Sequence, residues 1–157
     1  MYLSRTIASI YDLGKYHIRL NEFPTAYSQI VSRYSNYDYS EFAIIIQGPL
    51  YQFTLDSVKF YKVFFPNIKI VLVVWEDEES KIIDSSLKND DNLHIVIVEK
   101  PIISLVRNHN LMIKSTQEGL KYAKNNLEVK YAVKLRSDIR IHANDCLITL
   151  SLLLKTF

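Results

Sequence analysis

Phe42-Ala43-Ile44-Ile45-Ile46-Gln47-Gly48-Pro49 is the stretch that decides the fold. The unbroken apolar run Ala43–Ile46 lacks the alternation of a strand with one wet face. It reads as a strand buried on both faces and closed by Gln47-Gly48-Pro49. Two further runs of the same kind follow. Lys69-Ile70-Val71-Leu72-Val73-Val74-Trp75 predicts a second buried strand, and His94-Ile95-Val96-Ile97-Val98, broken by Pro101, a third. Tyr131-Ala132-Val133-Lys134-Leu135 predicts a fourth, with Ile139-Arg140-Ile141 as its candidate continuation.

Between these strands lie helical patterns. Thr54 to about Phe65 places Leu55, Val58, Tyr61, Val63 and Phe65 at apolar positions, with Thr54 as a candidate cap and Pro66-Asn67 as the stop. A short helix is expected around Lys81–Leu87. A long one is expected over about 108–125, where Met112, Thr116, Leu120, Ala123 and Leu127 recur at helical spacing. A last helix starts near Asn144. Strands alternating with helices imply βαβ units, hence an α/β fold with a mostly parallel, Rossmann-like sheet. Residues 1–41, rich in tyrosine and weak in periodicity, read as an N-terminal extension with short helices. Residues 42–157 then form the α/β unit.

Composition narrows the function. The 157 residues are 48% hydrophobic and 23% charged, which suits one packed core rather than a disordered chain. A net charge of +2 gives no footprint of a nucleic-acid binder. Cys146 is the only cysteine, so an intrachain disulfide or a cysteine-built zinc site is excluded, and a cytoplasmic location is the default expectation. No apolar stretch approaches the ~18 residues of a bilayer span, and the first residues lack the pattern of a signal peptide.

In parallel α/β sheets ligands bind outside the carboxyl ends of the strands. That rule selects Gln47-Gly48-Pro49, Trp75-Glu76-Asp77, Glu99-Lys100 and Arg136-Ser137-Asp138. With only 3 glycines, the chain has no Gly-x-Gly-x-x-Gly fingerprint. Gly48 can still admit a ligand close to the backbone, or simply end the strand in a turn. Glu76 or Asp77 can accept a hydrogen bond from a ribose hydroxyl, or lie in a solvated loop. Asp138 can hold a hard cation such as Mg2+ or Mn2+ beside substrate phosphates, with Arg136 on the same face to pair with phosphate; a surface Arg–Asp pair or a helix cap fits the pattern equally. Asn108 and Asn110 stand where a helix N-terminus favours anions, and capping explains them as well.

Ile44-Ile45-Ile46-Gln47-Gly48-Pro49-Leu50, Trp75-Glu76, Asn108-x-Asn110 with Ser115-Thr116 and Gly119-Leu120, and Tyr131-Ala132-Val133-Lys134-Leu135-Arg136-Ser137-Asp138 occur in one order over about Phe42–Ile141. Taken together this series resembles the WavE lipopolysaccharide-synthesis family, which is regarded as glycosyltransferase-like with a GT-A type nucleotide-sugar fold. The resemblance implies a nucleotide-sugar donor and a glycan or lipid-linked acceptor in bacterial lipopolysaccharide or capsular polysaccharide synthesis, at the inner face of the inner membrane. It also implies that Gln47, Gly48 and Pro49 line the donor site, joined by Glu76, Asn108, Asn110 and Arg136. Arg136-Ser137-Asp138 would stand in the place of the family's Asp-x-Asp motif, with Asp138 as the metal contact. This chain has one acid where that motif has two, and Leu111-Met112 replace the arginine and glutamine expected after Asn110. A catalytically incomplete scaffold of the same fold is therefore the alternative. GT-A enzymes are usually longer, and Leu152-Leu153-Leu154-Lys155-Thr156-Phe157 carries no cap. The expected unit is accordingly the donor-binding half of that fold, truncated at its C-terminus.

Overall fold

The computed structural model describes residues 37–82, 90–102, 108–143 and 145–155. The expected helix around Lys81–Leu87, beyond Ile82, and most of the N-terminal extension lie outside them. The elements run β1 (Phe42–Gln47), α1 (Gln52–Phe64), β2 (Lys69–Trp75), a 3-10 turn (Glu76–Ile82), β3 (Leu93–Val98), α2 (His109–Asn126), β4 (Tyr131–Arg136) and α3 (Cys146–Lys155). All four strands are parallel, in the order β3-β2-β1-β4. This is a Rossmann-like α/β sheet, as the strand–helix alternation implied.

β1 is buried along its whole length because it is central and covered on both faces. Ile44 and Ile46 join Ile70, Leu72 and Val74 beneath Leu55, Val58 and Tyr61 of α1 and Leu147 of α3. Ala43 and Ile45 join Val71, Val73 and Trp75 on the opposite face, where Ala123 of α2 packs. Each fully buried Ile or Val side chain of this kind contributes about 1.5–3 kcal/mol.

The two helices meet the sheet differently from the apolar spacing. In α1, Val63 is 77% exposed; Phe64 takes the inward position instead. α1 also starts at Gln52, before Thr54, whose Oγ1 accepts a hydrogen bond from the Tyr51 N–H at 3.2 Å from within the first turn. In α2 the inward residues are Ser115, Gly119 and Ala123, while Met112 and Leu120 are exposed. Small side chains face the sheet because the helix lies so close to it. A Cβ on Gly119 would stand 2.4 Å from Ile45 Cγ2 and 2.8 Å from Val73 Cγ2.

β4 does not continue through Ile139–Ile141. The chain turns at Ser137-Asp138, with the Ile139 N–H bonded to the Arg136 carbonyl at 3.1 Å. The segment is instead clamped to α1: the Tyr61 hydroxyl accepts from the Ile141 N–H at 2.9 Å and donates to the Ile139 carbonyl at 3.4 Å. Burial pushes the Tyr61 phenol above its ordinary pKa, so it remains a donor at physiological pH.

Candidate functional site

The strand order carries the chain from β1 outward through β2 to β3, then back across to β4 on the other side of β1. The switch point therefore lies between the carboxyl ends of β1 and β4, the place where open α/β sheets form a ligand crevice. Gln47 ends β1 opposite Arg136, which ends β4. Side chains in register on parallel neighbours share a face, so Gln47 and Arg136 both belong to the α2 side. Gln47 is 4% exposed and its Oε1 accepts a hydrogen bond from Ser115 Oγ of α2 at 3.0 Å.

Gly48 follows with φ +127, a conformation that side-chain-bearing residues rarely adopt, and a Cβ there would stand 2.5 Å from Ser137 Oγ. The β1–β4 ladder is extended past the strand ends by the Ser137 N–H, which donates to the Gln47 carbonyl at 2.8 Å. Thr54 Oγ1 donates to the Ser137 carbonyl at 3.1 Å, so α1 holds the same turn from the other face. Pro49 is exposed on this loop.

Arg136 and Asp138 form a two-point ion pair at the rim. Nε donates to Oδ1 at 2.9 Å and Nη2 to Oδ2 at 2.7 Å, with side chains 60% and 42% exposed. These hydrogen bonds, and the carboxylate charge behind them, push the guanidinium still further above its ordinary pKa. Of the three readings open for Asp138, namely cation ligand, surface pair and helix cap, pairing with Arg136 is the one its contacts satisfy.

Asn108 and Asn110 open α2, the element that faces Gln47. Asn108 stands just before the helix in left-handed backbone, φ 57, and makes no side-chain capping bond; Asn110 lies within the first turn. Glu76 is exposed at the start of the 3-10 turn after β2. Its neighbour Asp77 pairs with Lys100 beyond β3 at 2.5 Å. The acid of this run that reaches the β1 loop is Glu78. It is 8% exposed, and its Oε2 accepts a hydrogen bond from the Leu50 N–H at 3.3 Å. Nothing in Glu76-Asp77-Glu78-Glu79 distinguishes Glu78 by composition; it is selected by the turn geometry.

The structure thus brings Gln47, Gly48, Arg136 and Asp138 to the β1–β4 edge, adds Ser115, Ser137 and Thr54 as their supports, and leaves Glu76 beyond β2. A divalent cation fits this donor set poorly. Asp138 is a single carboxylate with both oxygens engaged by Arg136, and among the described residues no group of three His, Cys, Asp or Glu side chains converges.

The fold defines a Rossmann-like α/β domain with a topological switch point between the carboxyl ends of β1 and β4. Within that class the chain belongs to the WavE lipopolysaccharide-synthesis family, whose model, described as "WavE lipopolysaccharide synthesis", matches residues 42–151. Membership ties the chain to lipopolysaccharide synthesis. No curated protein and no solved structure matches it. Among the described residues, no helix is long and apolar enough to cross a membrane.

Proposed function

We propose that this chain is a glycosyltransferase-type domain that binds a nucleotide-sugar donor at the β1–β4 crevice, in the synthesis of lipopolysaccharide or a related capsular polysaccharide. The observation that carries this is the coincidence of the switch point with Gly48 and Arg136 in a member of the WavE family. Gly48 lets Ser137 close over the ends of β1 and β4, Gln47 is held from behind by Ser115, and Arg136 supplies a planar cation suited to phosphate oxygens. The N-terminal turn of α2, with Asn108 and Asn110, adds the positive end of a helix dipole on the same edge. In sugar transfer, charge develops on the phosphate of the departing nucleotide, and a guanidinium fixed at that point stabilises it. Glu76 is the residue of this set nominated for a ribose hydroxyl. The acceptor class is a glycan or a lipid-linked glycan, met at the cytoplasmic face of the inner membrane.

Saturation-transfer NMR with UDP-, GDP- and CMP-sugars tests the reading. Enhancements on one nucleotide family, reduced in Arg136→Ala, are expected; the absence of enhancement with all three overturns it. One observation favours a second reading, a binding scaffold without transfer activity. Among the described residues at the end of β4, the acid is Asp138, and its carboxylate is engaged by Arg136. Donor binding without donor hydrolysis or transfer to a glycan acceptor would select the scaffold.

A further inference from the structure

Resting on the assignment of the crevice to a nucleotide sugar, we infer that Arg136, braced by Asp138, is its diphosphate clamp and that the clamp works without a divalent cation. A guanidinium has five N–H donors in a fixed plane. Asp138 takes only the Nε–Nη2 edge. Nη1 and the second Nη2 hydrogen form another two-pronged edge, and Arg136 stays largely exposed at the end of β4, beside the residue that ends β1. One side chain can therefore hold a carboxylate on one edge and a phosphate on the other, both in two-point geometry.

Asp138 is the positioning residue in this arrangement. An unbraced arginine is rotamer-rich and loses that freedom when it binds an anion. The ion pair orders it beforehand, which lowers the entropic cost of capture. Exposed pairs contribute little to folding, so the value of this pair lies in orientation.

The same geometry disfavours a cation at Asp138. A dication on either carboxylate oxygen would share it with a guanidinium nitrogen 2.7–2.9 Å away and would meet that charge at close range. Glu78, the buried acid of the neighbouring turn, is committed to the Leu50 N–H. Among the described residues of the β1–β4 edge, the positive charge that faces a diphosphate is then that of Arg136.

Isothermal titration calorimetry of the full chain with UDP, GDP, CDP and inorganic pyrophosphate, each in EDTA and in Mn2+, tests this. The preferred probe is expected to bind with the same Kd, within about twofold, in both buffers. Arg136→Ala should weaken it by at least about tenfold in both, as expected for one lost two-point charge contact. Arg136→Lys should recover only part of that, because an ammonium cannot present two edges. Asp138→Asn should weaken binding severalfold, equally in EDTA and Mn2+. Binding that requires Mn2+ and disappears in Asp138→Asn would overturn the inference and leave the nucleotide-sugar assignment standing. Wild-type affinity in Arg136→Ala would overturn it likewise. Failure of every probe in both buffers would overturn the assignment of the crevice and the clamp with it.

Discussion

Gly48 lies so close to Ser137 that a Cβ on the glycine would stand 2.5 Å from the serine Oγ. This contact joins the ends of the two strands that flank the switch point, and it combines with a φ of +127 to make glycine necessary for two separate reasons. Gly48→Ala should therefore lose about 1–3 kcal/mol from backbone strain, plus a smaller contribution from displacing the Ser137 hydroxyl. Replacing Ser137 by Ala removes the nearest atom. In that background Gly48→Ala should lose only the strain part, so the two variants are non-additive. Urea denaturation of the four proteins of the cycle measures the coupling, and equal losses in both backgrounds would show that the serine hydroxyl is not the obstacle.

Gly119 is the second position where the absence of a side chain is structural. In an exposed helix Gly→Ala would gain about 1 kcal/mol from helix propensity. Here the added methyl would meet Ile45 Cγ2 at 2.4 Å and Val73 Cγ2 at 2.8 Å, both on the buried face of the sheet. Overpacking of a close-packed core costs about 1–3 kcal/mol, so the net effect of Gly119→Ala is a loss. In an Ile45→Ala background, which removes Cγ2, Gly119→Ala should cost less than in the wild-type chain, measured by the same denaturation midpoints.

These two glycines mark where the sequence was legible and where it was not. β1, β2 and β4 announce themselves because β-branched runs bounded by Gln47-Gly48-Pro49 or by charged residues have few other solutions, and their boundaries agree with the structure within a residue. The inward face of α2 was legible only at Ala123, because the rest of it is built from Ser115 and Gly119 and not from the larger Met112 and Leu120. Hydrophobic periodicity detects helices that bury bulk, and α2 docks by close approach. The crevice was half legible. Gln47, Gly48 and Arg136 follow from the strand-end rule, whereas Glu78 depends on how a turn folds and Ser137 on a contact between residues far apart in the chain.

Tyr61 ties α1 to the segment after β4 through both the donor and acceptor capacity of one hydroxyl. Tyr61→Phe keeps the buried ring and leaves the Ile141 N–H without its acceptor. The loss should be about 1 kcal/mol, the net worth of one part-buried hydrogen bond. Because residues 139–141 follow directly on Ser137 and Asp138, the amide resonances of this turn should shift as well. Unchanged resonances at Ser137 and Asp138 would show that the clamp does not reach the crevice.

The pH dependence of stability can be argued from two histidines. His94 lies on β3 with its Nδ1 3.2 Å from the Tyr122 hydroxyl, and its pKa is pushed below 6.5 first by burial and then by the Lys69 charge. His142, whose ring centroid is 5.3 Å from that of Phe60, is pushed below the same value by burial and by Arg140. For both groups the unfolded chain binds the proton more readily than the folded one, so stability rises with pH where the unfolded histidine titrates. The contribution is full above about pH 6.5 and is lost as the pH falls through the unfolded value toward the lower folded one. Urea midpoints should therefore be higher at pH 7.5 than at pH 5.5. His94→Asn and His142→Asn should each flatten part of that slope, and the double variant most of it. A slope unchanged in the double variant would assign the dependence to other groups.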